Sequence, residues 1–435
     1  MQAMFLVEIF TRFRGLKTTV SSSRHFKKMY DHVSSIPYLS TIFLNFSQLV
    51  ILQLDAFEDP SQGLDASTAH SQDKVQANLK TAWKNWFCSE AYRRLMSACF
   101  TLDTQQSVYH EQLTTESTFQ QQLEYLPWLP CSEEIWEASS ATIWESRLSK
   151  YKAKHTTRVD DALLKFISPE ELQKMRPFPQ SILVCSQFSK LPAREDPTYP
   201  NDFTPYSIHP TLATFMSVFN HNPKADAFLL FYHTPLHDLL AIAGDTWVFS
   251  QKITSPSTFH MAQARLRNWS TSLAAAAATQ YACRILKDEL LQPFSRSGWR
   301  AANDQSTGLD GCISDYWVLY IASLVCWAFG HRYQSSAGST MSLSSCASDN
   351  DSAIDIAGMS GYPETKANQY LTMMLERSIE ELLTSEASVK SDTSSVVQVV
   401  KLRLEKEREV SSSEMLLDAI LVLNKVAQGG GQRWF

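Results

Sequence analysis

The stretch "YWVLYIASLVCWAF", residues 316–329, is the strongest constraint on what this chain can become. It holds no charged residue and is apolar nearly all the way round a helix, with Asp315 and His331 bracketing it. At about fourteen residues it falls short of the ~20 needed to cross a bilayer, so it is expected to be a core helix enclosed by protein. Burying a helix on every side takes several neighbours, and that calls for a large body around it.

The rest of the chain supplies such neighbours. Its 435 residues are enough for one large domain or two to three ordinary ones, and a composition of 44% hydrophobic and 19% charged residues belongs to a globular protein. Nearly every ordered segment has helical period, and strand signals are weak throughout. Helices are expected over residues 1–16, 23–33 and 78–103, with a polar, turn-rich loop at 53–77 before the third. Pro127 and Pro130 break the chain ahead of a short helix opened by Ser132. Thr234 as N-cap and Pro235 at the first position predict a helix start. Two helices follow, the second strengthened by the Ala274–Ala278 run. Ser314 and Gly330 are the expected cap and C′ stop of the buried helix.

Further helices are expected at 364–385 and 393–410, with a last one ended by Gly429–Gly431. Residues 334–361 are rich in Ser, Asp and Gly and are expected to be disordered. The fold class is therefore all-α, a large irregular multi-helix domain with Ser-rich linkers. The expected division is a helical domain over 1–333, a linker over 334–363, and C-terminal helices over 364–435 that pack on the same domain.

One helix carries an unusual load. In "TAWKNWFCSEAYRRLMSACFTLD", residues 81–103, the positions Phe87, Ala91, Leu95, Ala98, Cys99 and Leu102 fall on one face, widened by Tyr92, Met96 and Phe100. The narrow remaining face holds Glu90, Arg93 and Arg94, with Trp83 and Trp86 a turn or two earlier. Glu90 meets Arg93 at i,i+3 and Arg94 at i,i+4, and an Arg beside indole rings adds a cation–π contact. The expected role is a buried structural ion pair.

Catalytic patterns are missing. "AGMSGY" puts Tyr362 where a G-x-S-x-G elbow wants its last glycine, and there is no G-x-x-x-x-G-K-[ST], G-x-G-x-x-G or H-E-x-x-H. His233 and His237 stand four apart beside Asp238, but Pro235 lies between them and spoils the metal-binding geometry. The adjacent Asp160 and Asp161 point different ways on a helix, as on a solvated face. "KLRLEKERE", residues 401–409, mixes signs like an exposed helix face.

The eight cysteines, at 88, 99, 131, 185, 283, 312, 326 and 346, show no C-x-x-C, so a reducing compartment fits better than a disulfide framework. A net charge of −6 gives no general pull toward nucleic acid or anionic membrane. The amphipathic N-terminus is acid-poor and bears Arg and Ser, as mitochondrial targeting segments do, and is better read as an ordinary domain helix.

The residues around the ion pair resemble a known family. Trp83, Trp86, Glu90, Arg93, Arg94, Leu95, Phe100, Leu102 and Asp103 are similar to the W-x-x-W-x-x-x-E-x-x-R-R-L…F-x-L-D signature of the fungal-specific transcription factor domain. "YLPWLPCSEEIWEASSATIW" resembles its next segment through Leu129, Pro130, Cys131, Trp136, Glu137, Ala138 and Trp144. "TPLHDLLAIAGDTWVFSQKI", "ISDYWVLYIASLVCWAFG" with Asp315 and Trp317, and "LLDAILVLNKVAQGGGQRWF" look like the C-terminal half of members paired with two-cysteine two-histidine fingers.

The resemblance implies a nuclear regulator of RNA polymerase II transcription whose helical domain restrains or relays activity. It implies coregulators or other transcription regulators as partners, a homodimer as one arrangement, and no membrane. Neither a catalytic nor a cofactor-binding residue is implied, and zinc is expected only in an upstream finger, through which DNA would be bound. No such finger lies in these residues, so Met1 is read as a misplaced start and the stretch around residues 40–71, which lacks family landmarks, as a retained intron. The alternative is an interaction protein or antagonist that acts without binding DNA.

Overall fold

The structure, a computed structural model, describes residues 70–109, 129–150, 172, 175–191, 210–244, 247–248, 251–252, 255–290, 315–332, 362–384, 393–410 and 414–428. Expectations for residues 1–69, Asp160 and Asp161, Ser314, the linker up to 361 and the Gly429–Gly431 run lie outside these residues. Among the described residues the architecture is all-α. The one extended pairing among them is a two-residue antiparallel ribbon, Trp247–Val248 against Gln251–Lys252. None of the described helices is long and apolar enough to cross a membrane.

The chain separates into two compact units. Among its described residues, the first holds α1 (His70–Tyr109) as far as Ser107, together with α2 (Glu133–Trp136), α3 (Ala141–Lys150) and α4 (Pro177–Phe188). Helix α1 starts eight residues earlier than expected, so residues 70–77 are helix and not loop. The turn formers Pro60 and Gly63 lie upstream of that start, and nothing in "HSQDKVQA" blocks propagation once α1 has formed.

Trp86, Cys131, Ile135, Ala138 and Trp144 make the buried cluster that joins α1 to α2 and α3, with Leu79, Trp83, Trp136 and Leu148 at its margin. In α4, Pro177 opens the helix at its first turn, where a missing N–H costs nothing, and Ile182 through Ser186 are all buried.

The second unit holds Val108, Tyr109 and, among its described elements, α5 (Pro210–Val218), α6 (Pro223–Tyr232), α7 (Leu236–Ile242), the ribbon, α8 (Pro256–Ser270), α9 (Leu273–Leu290), α10 (Asp315–Gly330), α11 (Tyr362–Glu376), α12 (Ile379–Thr384), α13 (Thr393–Val410) and α14 (Glu414–Gln428). Helix α10 is the apolar segment singled out above, and every residue from Tyr316 to Gly330 is buried. It packs on α9, α13, α14 and α7, while α9 also packs on α6, α11 and α12. The indole N–H of Trp317 donates to the Tyr109 carbonyl at 3.1 Å, and Tyr109 packs its ring on Phe231 and Phe228.

Several punctuation marks work differently from the sequence expectation. Thr234 does not cap α7: its hydroxyl turns back to the Leu230 carbonyl of α6 at 2.7 Å, and Pro235 takes the cap position one residue later than expected. The working cap is Asn222, whose side chain accepts from the backbone N–H groups of Lys224 and Ala225 ahead of Pro223.

Gly330 is the last residue of α10 and not a left-handed C′ stop: among the described residues only Gly244 and His221 have positive φ. Its lack of a side chain serves close approach, because a Cβ there would run into the Thr393 side chain of α13. The expected helix over 364–385 is two helices, split at Ser378. There the Ser378 hydroxyl accepts from Glu381 N–H and the Glu381 carboxylate accepts from Ser378 N–H, a reciprocal capping box.

Candidate functional site: a buried ion-pair knot

Of the signature residues, Trp83, Trp86, Glu90, Arg93, Arg94, Trp136 and Trp144 come together in the first unit. Glu90 is fully buried in the middle of α1, where a bare carboxylate would be costly, and three donors satisfy it. Arg93 donates to its Oε2, Arg94 Nε donates to Oε1 at 3.2 Å, and the backbone N–H of Cys131 donates to Oε1 at 2.8 Å. Arg94 then reaches across to α2: Nη1 donates to Glu133 Oε1 at 2.9 Å and Nη2 to the Cys131 carbonyl at 2.9 Å. One carboxylate and one guanidinium thus hold both polar backbone groups of Cys131. That ties the segment after Pro130 to α1 in a fixed register.

The indoles enclose this knot. Trp86 lies 5.5 Å from Trp144 and 6.5 Å from Trp136, ring centre to ring centre, and the Arg94 guanidinium sits 4.7 Å from the centre of the Trp136 ring. Phe87 stacks on Trp136 at 4.7 Å. Arg147 of α3 donates to the Glu134 carbonyl, binding α3 to α2.

Burial pulls the Arg94 value down, but its hydrogen bond to Glu133 and the charges around it outweigh that and raise it, so the guanidinium stays charged. Burial and the neighbouring Glu90 push the Cys131 thiol up to about 12, against the opposing pull of Arg94. Cys131 is therefore no nucleophile at neutral pH.

The sequence expectation meets this geometry in part. The Glu90–Arg93 and Glu90–Arg94 spacings pair as expected, and Glu90 is buried as a structural ion pair should be. Phe87, assigned to the buried face, is instead 43% exposed. The cation–π contact expected of an Arg beside indole rings is made by Arg94 with Trp136 of α2. Trp83 sits at the margin of the cluster, while Trp86 and Trp144 are in it. Trp317 lies in the second unit, bonded to Tyr109, and the side chains of Asp103 and Asp315 lie outside the described residues. Glu133 and the backbone of Cys131 could not be identified as partners from spacing, since they stand 39 and 37 residues from Arg94.

In the second unit the two histidines weighed as metal ligands belong to different helices. His233 closes α6, buried, its ring parallel to Tyr281 at 6.0 Å; His237 lies in the first turn of α7 beside Asp238. Asp238 takes a two-pronged ion pair from Arg265, at 2.9 and 2.6 Å. Burial raises the Asp238 carboxyl, but the hydrogen bonds and charges of Arg265 and His237 outweigh it and hold it below the usual carboxylate range. Among the described residues, no three His, Cys, Asp or Glu side chains gather as a metal set does.

The sequence model of the fungal specific transcription factor domain matches residues 26–222, a span that contains the whole knot. A curated relative, the nicotinate catabolism cluster-specific transcription factor of Emericella nidulans, is 25% identical over 332 residues, covering 66% of this chain and 36% of the relative. The chain thus spans about a third of that relative's length. No solved structure matches. Residues 26–222, in which Glu90, Arg94 and the Trp86–Trp144 cluster bind three helices together, thus resemble the fungal specific transcription factor domain.

Proposed function

We propose that this chain is the regulatory body of a fungal transcription regulator that acts in the nucleus on RNA polymerase II transcription. The observation that carries the reading is the family match over residues 26–222, within which Trp86, Glu90, Arg94 and Trp144 gather around one buried knot. In this reading the helical body relays or restrains activity through contacts with coregulators, other transcription regulators or a second copy, and performs no turnover.

DNA contact is assigned to a zinc module outside these residues. A net charge of −6 supports that division, because binding a polyanion draws on clustered Lys and Arg that release counterions from the phosphates. The same division leaves room for the second reading, an antagonist that binds the partners of such regulators but not DNA.

Mapping the 5′ end of the native transcript and reading its frame upstream of Met1 separates the two. Zinc-ligand codons joined in frame support the DNA-binding regulator. A stop codon that closes the frame rejects it and leaves the antagonist.

A further inference from the structure

We infer that Cys283 of α9 and Cys326 of α10 form a peroxide-sensitive pair whose oxidation bonds the two central helices of the second unit to each other. Their sulfurs lie 3.9 Å apart, both residues are free thiols, and both are fully buried. A disulfide requires about 2.05 Å between sulfurs, so each has to move by about 0.9 Å. The surroundings favour close approach of the helices: Ala275, Ala276, Ala278 and Ala282 of α9 and Ala322 of α10 are all fully buried small residues.

The chemistry balances with a peroxide as oxidant. One thiolate attacks a peroxide oxygen, the O–O bond breaks, and the departing hydroxide takes a proton to become water. The second thiolate then attacks the resulting sulfenic sulfur, the S–O bond breaks, the S–S bond forms, and a second water leaves. Two thiols and one hydrogen peroxide become one disulfide and two waters.

In the closed helix pair this reaction is held back. No thiol surface meets solvent, and burial together with the contact from Cys326 raises the Cys283 thiol well above its ordinary value, so thiolate is scarce. Attack therefore waits for α9 and α10 to part locally, and the disulfide, once made, prevents them from parting again. The pair is a latch that responds to sustained oxidant and ignores a brief pulse.

The test uses the full 435-residue chain, reduced, and then exposed to hydrogen peroxide over a time course. Remaining thiols are blocked under denaturing conditions, and peptides are mapped by mass spectrometry. Cys88, which is exposed, serves as the internal control. The expected result is a linked Cys283–Cys326 peptide that accumulates after Cys88 has reacted, in parallel with a rise in melting temperature that Cys326→Ala abolishes. Recovery of Cys283 and Cys326 as blocked free thiols after Cys88 is fully oxidised overturns the inference. So does a disulfide that joins either of them to a different cysteine.

Discussion

Glu90 is the residue on which the first unit turns. Its carboxylate holds Arg93, Arg94 and the Cys131 N–H, and Arg94 carries the link on to Glu133 and the Cys131 carbonyl. Truncation leaves two guanidinium groups and a buried N–H without their acceptor, and breaking a buried pair from one side costs roughly 3–5 kcal/mol. Glu90→Ala is therefore expected to lose that much by urea unfolding, and Arg93→Ala much less, since Arg93 keeps 21% of its side chain in solvent. Equal, small losses for both would show that the knot is not a buried network.

Asp226 makes the opposite kind of contribution. It is buried in the first turn of α6, and burial raises it to about 6, with nearby Asp288 adding to the rise and a single 3.2 Å pair to Arg284 opposing it. A carboxyl raised on folding binds its proton more tightly in the native state, so its contribution is present below its ordinary value near 4 and is lost as pH rises through about 6. The loss is on the order of 3 kcal/mol. Asp226→Asn is expected to be more stable than the parent at pH 7.5 and no more stable at pH 4, as read from melting temperature at the two pH values.

At the scale of the element, the sequence is legible where a helix announces itself through its own neighbours. The buried character of α10, the i,i+4 pairing inside α1 and the helix that spans the Ala274–Ala278 run all follow from short-range spacing. Two of the departures share a cause: local rules place Gly330 and Phe87, but their settings come from residues far along the chain, since Gly330 gives way to α13 and Phe87 stacks on Trp136 of α2. Thr234 departs through a local competitor, the Leu230 carbonyl one turn back in the preceding helix. The Ser378–Glu381 box shows the reverse, a short-range signal that was present in the sequence and hidden by a continuous polar–apolar pattern.

The α10–α13 contact yields a prediction of its own. Gly330→Ala should cost about 1–3 kcal/mol, because the added methyl meets the branched Thr393 side chain in a packed interior. Adding Thr393→Ala should recover part of that loss. A double-mutant cycle in chemical denaturation checks the coupling, and strictly additive losses would place the cost of Gly330→Ala elsewhere.

For the whole molecule, the all-α class and the helical character of most segments were readable because periodicity of 3.6 runs through the chain and Gly and strand signals are sparse. The separation into two units was not, since it depends on which helices share a core, and that is set by contacts such as Trp86 with Trp144 and Trp317 with Tyr109. The family match over residues 26–222 was legible only through a resemblance carried by several motifs, the one around Glu90 among them.

The most direct measurement is a tethering assay in fungal cells: the 435-residue chain is fused to an unrelated DNA-binding domain, and expression of a reporter carrying that domain's site is read. A regulatory body alters reporter output severalfold in either direction relative to the DNA-binding domain alone, and Glu90→Ala abolishes the effect as the first unit loses stability. A fusion that is nuclear, abundant and folded, yet leaves the reporter unchanged, contradicts the account.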